Sequence, residues 1–128
     1  IRQLEQRCHN PLVVVSGRDI PEAAALASLA DYYVCHTGTL QHKVAWLHNT
    51  PGMVHANRAG LRPGAARWLA DQLESGRAPS LLPLEFVQDL DSIRSPNQVQ
   101  RNRDYHFVDI PGVVAAILTD AGRVLGAG

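Results

Sequence analysis

The chain is patterned as short apolar runs, each ending in a polar turn. Leu12-Val13-Val14-Val15 leads into Ser16-Gly17-Arg18-Asp19, Tyr32-Tyr33-Val34-Cys35 into His36-Thr37-Gly38-Thr39, and Met53-Val54-His55-Ala56 into Asn57-Arg58. Runs of this length without polar alternation, rich in β-branched and aromatic residues, predict strands buried on both faces of a parallel sheet. Helical signals lie between them. Asp19 is placed to cap a helix with Pro21 in its first turn and Ala23 to Ala30 as its body. Leu40, Val44 and Leu47 recur at helical spacing up to His48, after which Asn49-Thr50-Pro51-Gly52 breaks the pattern. A third helix is predicted from Pro63 to Glu74, ending at Gly76.

From Arg77 to Asp104 the pattern weakens, punctuated by Pro79, Pro83 and Pro96, with one short strand-like run, Leu84-Glu85-Phe86-Val87. A stretch of this kind in a compact domain predicts a lid or an interdomain contact, or else a helix from Asp89 to Arg94. Tyr105-His106-Phe107-Val108 then reads as a strand, and Pro111 opens a closing helix through Leu118. Strands alternating with helices mean crossover connections. The expected fold is therefore α/β: a three-layer, Rossmann-like domain with a mainly parallel sheet built near residues 12–15, 32–35, 53–56 and 105–108, with a further strand near 84–87.

At 128 residues and 13.9 kDa the chain fits one domain, and 45% hydrophobic against 19% charged residues is enough to build a core. Twelve basic residues balance twelve acidic ones, so no global field holds a nucleic-acid backbone or an anionic membrane, and any anion site must be local. Lys43 is the single lysine. Cys8 and Cys35 form no Cys-x-x-Cys pair, which argues against a thiolate zinc site and points to a reducing, cytoplasmic compartment. No apolar stretch approaches the ~20 residues of a membrane span, and the start at Ile1 carries no signal-peptide pattern and predicts excision from a longer chain.

Ligands of open parallel sheets bind beyond the carboxyl ends of the strands, where helix N-termini converge. Three segments qualify: Ser16, Gly17 and Arg18; His36 to Thr39; and His55, Asn57 and Arg58. The middle one is richest. Gly38 admits close backbone approach, Thr37 and Thr39 supply hydroxyls, and the following helix presents N–H groups to an anion. The alternative is that Thr37 or Thr39 simply caps that helix. At ~100° per residue Lys43 falls beside Leu40 and Leu47, either reaching an anion at the helix start or lying along the apolar edge. His36, His42 and His48 are six apart, whereas a helical ligand pair needs a spacing of three or four, so no metal site is expected. Glycine-rich dinucleotide loops, phosphate loops and nucleophile elbows are absent, and no cofactor is implied.

The segment Ala30-Asp31-Tyr32-Tyr33-Val34-Cys35-His36-Thr37-Gly38-Thr39, with its helix to His48 and then Thr50-Pro51-Gly52-Met53-Val54-His55, resembles the donor-binding half of glycosyltransferases of the two-domain GT-B architecture. The likeness covers about residues 12–57. It implies that His36, Thr37, Gly38 and Thr39 face the diphosphate or sugar of a nucleotide-sugar donor, with Lys43 close by and His36 catalytic. It also implies an acceptor-binding domain in the same longer chain and a place in bacterial polysaccharide biosynthesis. The helix from Leu40 to His48 lacks the acidic residue that many such enzymes use on ribose or sugar hydroxyls. The same donor half occurs in sugar-nucleotide epimerases. A noncatalytic α/β interaction or regulatory domain is the reading from a different class.

Overall fold

A computed structural model describes Asn10, Gly17 and residues 19–62, 78–90 and 105–126. The apolar run 12–15, the helix expected at 63–74 and the whole stretch 91–104, with all but the start of the helix considered from Asp89 to Arg94, lie outside the described residues. Helix α1 spans Ile20–Ala27, β1 Tyr33–His36, α2 Thr39–His48 and β2 Gly52–His55. After these come β3 (Ser80–Leu81), a 3-10 turn at Leu84–Phe86, β4 (Val87–Asp89), β5 (Tyr105–Phe107) and α3 (Ile110–Leu125). The protein is mixed α/β, with a three-stranded parallel sheet in the order β1-β2-β3 and a separate two-stranded sheet of β4 and β5.

Local chemistry starts α1 and α3 and stops α2 as the pattern predicts. The Asp19 side chain accepts from the Glu22 amide at 2.8 Å, and Asp109 does the same for Gly112 at 3.0 Å, each satisfying a first-turn N–H ahead of a proline-bearing turn. Helix α2 ends at Asn49, which takes the left-handed conformation (φ 50°, ψ 28°) that asparagine tolerates better than other side-chain-bearing residues, while its N–H reaches Ala45 O at 2.9 Å.

The crossover β1–α2–β2 sets the register Tyr33↔Gly52, Val34↔Met53, Cys35↔Val54 and His36↔His55. Because side chains alternate between faces, Tyr33, Cys35 and Val54 turn to α2, where they pack with Val44 and Ala45. Met53 turns to the opposite face and joins Ala56, Leu61, Leu82, Val87 and Val113, with Tyr105, Phe107 and Ile117 against them. Helix α3 is fastened to this face by Asp120, which accepts from Tyr32 Oη at 2.7 Å and Ser80 Oγ at 2.9 Å and pairs with Arg123.

Gln41 in α2 is fully buried. Its Nε2 donates to Tyr33 Oη at 3.0 Å, and its Oε1 finds no partner among the described residues. An amide so placed is tolerated only while its one hydrogen bond holds. Tyr33→Phe is therefore expected to lower stability by about 1–3 kcal/mol, and adding Gln41→Leu to recover most of that loss, because the second change removes the stranded amide. Thermal melts of the two variants check this.

Five features differ from the sequence expectation, the first being that α1 ends at Ala27, before the expected Ala30. Residues 105–107 do not extend the parallel sheet: they pair antiparallel with β4, Val87 opposite Phe107 and Asp89 opposite Tyr105. The reason lies in their alternation, since His106 is exposed between half-buried Tyr105 and Phe107, as suits an antiparallel strand with one wet face. Residues 84–86 form a 3-10 turn after Pro83, and the strand begins only at Val87. Helix α3 continues past Leu118 to Leu125, because Asp120 is a buried anchor and not a terminating polar residue. Strand β3, of two residues, was too short to leave a pattern.

Candidate functional site

The carboxyl ends of β1 and β2 place His36 and His55 side by side, one ladder step before the turns that leave the sheet. Their rings meet edge to face with centroids 5.7 Å apart. From the second sheet, Tyr105 stacks over His36 at 6.0 Å and 28°, and its hydroxyl hydrogen-bonds Nδ1 of His55. Phe107 closes the cluster, edge-on to His55 at 5.5 Å. Beneath it a cavity of about 90 Å³ runs between the parallel sheet and α3, lined by Val34, Met53, Leu82, Phe107, Val113 and Ile117, with His55 its one polar wall.

Burial sets the charge states here. It pushes the His55 pKa below the usual imidazole range, and His36 adds to the effect by disfavouring a second positive charge beside it. His55 is thus neutral at pH 7. Burial also raises Tyr105, which keeps its phenol proton, and lifts the Cys35 thiol to about 11, so that Cys35 is no nucleophile at neutral pH.

One residue beyond His36 the chain turns into α2. The Thr37 amide is committed to the sheet, donating to His55 O at 3.0 Å. Gly38 takes the N-cap position with φ 156° and ψ −166°, a conformation nearly confined to glycine, and brings no side chain to cap the helix. The N-cap position considered for Thr37 or Thr39 is thus held by Gly38, which has no side chain to occupy the first-turn N–H groups. Thr39 is the first residue of α2, and Lys43 belongs to the same helix. Among the described side chains of that helix, Gln41 and Ala45 are buried, while Leu47, expected to mark an apolar edge with Lys43, is 64% exposed.

The turn after β2 is differently employed. Asn57 is 1% exposed, and its Oδ1 accepts from the Gly60 amide at 2.9 Å, so it braces its own turn. Arg58 ties this turn to the second sheet: its amide donates to Asp89 at 2.8 Å, and its guanidinium to the carbonyls of Leu84 and Val87 at 2.8 and 3.0 Å. Gly17 is exposed, while Ser16 and Arg18 lie outside the described residues.

The structure thus brings together His36, Gly38 and His55 of the residues singled out from sequence, and adds Tyr105 and Phe107, which were read only as strand. The signal for those two was the aromatic–polar–aromatic alternation of 105–107, which places both rings on one face. Among the described residues no group of three or more His, Cys, Asp or Glu is arranged to hold a metal ion, and no helix is long and apolar enough to cross a membrane. Compared with known protein families, curated proteins and solved structures, the chain matches none, so the geometry of the site carries the functional argument.

Proposed function

We propose that this chain is the nucleotide-sugar-binding part of a GT-B type glycosyltransferase, with a three-layer, Rossmann-like fold, holding the donor through its diphosphate at the turn after β1. The observation that supports the reading is the start of α2: a helix whose N-cap is a glycine, without a side chain of its own to cap it, after a parallel strand that ends beside a second histidine. First-turn N–H groups and the helix dipole attract an anion. His36 and neutral His55 add side-chain donors at the ends of the two strands that α2 connects.

In sugar transfer, negative charge grows on the diphosphate as the glycosidic bond to it breaks. Fixed N–H donors aimed at those oxygens stabilise that charge without having to reorganise. His36, the last residue of β1, lies beside the reacting sugar or its diphosphate, with Thr37, Gly38, Thr39 and Lys43 as the remaining donor contacts. The acceptor and a general base come from an acceptor-binding domain of the same longer chain.

Two measurements test the reading. A nucleoside diphosphate is expected to protect the amides of residues 35–43 from hydrogen exchange, and Lys43→Ala to weaken its binding about 10-fold, the worth of one charge-assisted contact. In the full-length protein, His36→Ala is expected to reduce acceptor-dependent sugar transfer at matched thermal stability. Equal transfer rates would remove His36 from the mechanism. Release of the sugar nucleotide in epimerised form, independent of acceptor, would identify an epimerase, and absence of any nucleotide-dependent protection would leave a noncatalytic module.

A further inference from the structure

The contact between Tyr105 and His55 has more content than packing. Tyr105 is brought to His55 from the second sheet by its pairing with Asp89, and among the described residues its hydroxyl has no other hydrogen-bond partner than His55 Nδ1. The bond has one favoured polarity. A phenol is a good donor and its oxygen a poor acceptor, whereas the lone pair on a neutral imidazole nitrogen is the strongest neutral acceptor among the groups gathered here. Burial keeps both partners uncharged, so the proton stays on the phenol and the ring keeps one proton of its own. With Nδ1 accepting, that proton must sit on Nε2. Phe107 and His36, both packed nearly perpendicular to the His55 ring, restrict its rotation.

We propose that Tyr105 is a positioning residue: by donating to Nδ1 it fixes His55 as the Nε2–H tautomer and makes it, with His36, an oriented N–H donor for a phosphoryl oxygen at the strand ends. The ligand part of this rests on the diphosphate reading above; the tautomer part does not. Tyr105 itself need not touch the ligand. It acts by removing the orientations and tautomers of His55 that would present a lone pair to an anion, which is preorganisation.

The test uses protein labelled with 15N-histidine at about pH 7.5, above the ordinary histidine range. Long-range 1H–15N correlation spectra are expected to show His55 with a protonated Nε2 and a bare Nδ1; a protonated Nδ1 would overturn the proposal without any variant being needed. Tyr105→Phe is expected to mix the two tautomers and to weaken inorganic pyrophosphate binding by about 3-fold or more. In a His55→Gln background, where the amide supplies the N–H donor in place of Nε2, Tyr105→Phe should cause no further loss. If Tyr105→Phe weakens binding equally in both backgrounds, the tyrosine acts through the fold and the proposal fails. Wild-type protein with the expected tautomer but no pyrophosphate binding would overturn the diphosphate reading alone and leave the hold of Tyr105 on His55 established.

Discussion

Replacing Asp120 with alanine is expected to destabilise the protein by about 3 kcal/mol, because one carboxylate answers donors from three separate parts of the chain. Tyr32 precedes β1, Ser80 opens β3 and Arg123 lies one turn further along α3, and all three converge on Asp120, which is 9% exposed. Alanine would strand two part-buried hydroxyls and release the fastening of α3 to the sheet. The Arg123 contribution is the smaller one, since its side chain is 68% exposed and solvent screens the pair. Denaturant unfolding should show the midpoint falling with little change in slope, and Asp120→Asn, which keeps an acceptor, should fall less. The pH dependence has a defined sign. Burial alone would raise the Asp120 pKa, but the hydrogen bonds from Tyr32, Arg123 and Ser80 outweigh it and hold the carboxyl below its usual value. A depressed carboxylate contributes its stability above the unfolded pKa near 3.8 and loses it as pH falls through the lower, folded value. At the alkaline end, burial and the Asp120 bond push the Tyr32 pKa well above 10, so that stability present below pH 10 declines as pH rises through the folded value. Asp120→Ala should flatten the acid limb.

Nothing about the sequence position of Asp120 announces this role, and the reason shows which parts of the fold are legible in a sequence. The crossover from β1 through α2 to β2 could be read because each of its features is local: an apolar run, a glycine turn, helical spacing, then Asn49 and Pro51 to stop the helix. The place of the candidate site followed from topology alone, since parallel strands put their carboxyl-end turns together, and His36 and His55 do stand adjacent there. What could not be read is set by contacts distant in sequence. Tyr105 reaches His55 across 50 positions and Tyr32 reaches Asp120 across 88. Asn57 shows a second use that the sequence does not separate: at the end of a strand it looks like a ligand contact, and its Oδ1 accepts from the Gly60 amide three residues on. Asparagine oxygen serves its own backbone as readily as a ligand, and the sequence carries no mark distinguishing the two uses.

The second large effect is expected at Gly52, where the register itself depends on a missing side chain. Gly52 lies directly opposite Tyr33 in the parallel ladder, and the phenol ring folds over it; a Cβ built at residue 52 would stand 2.5 Å from Cγ and Cε1 of that ring. Side-chain carbons do not approach so closely, so Gly52→Ala forces the ring or the strand to move. The ring cannot move cheaply. Tyr33 is 7% exposed, packed against Ala45 and Val54, and its hydroxyl is the one partner of the buried Gln41 amide. Overpacking of this kind costs about 1–3 kcal/mol, and breaking the Gln41 bond in the process brings the expected total to about 3 kcal/mol. If the ring is the obstacle, the two sites must be coupled. Gly52→Ala should cost far less in a Tyr33→Leu background than in the wild type, a non-additivity that a double-mutant cycle of unfolding free energies measures directly. Equal costs in the two backgrounds would mean that glycine is needed at residue 52 for its backbone and not for the space above it. The same strain would reach the site. Residue 52 fixes the first rung of the ladder whose last rung is His36 opposite His55, so whatever the strand does to admit the methyl group displaces one histidine relative to the other. Nucleoside diphosphate binding should therefore weaken in Gly52→Ala protein that is still folded, and return with Tyr33→Leu as the stability does.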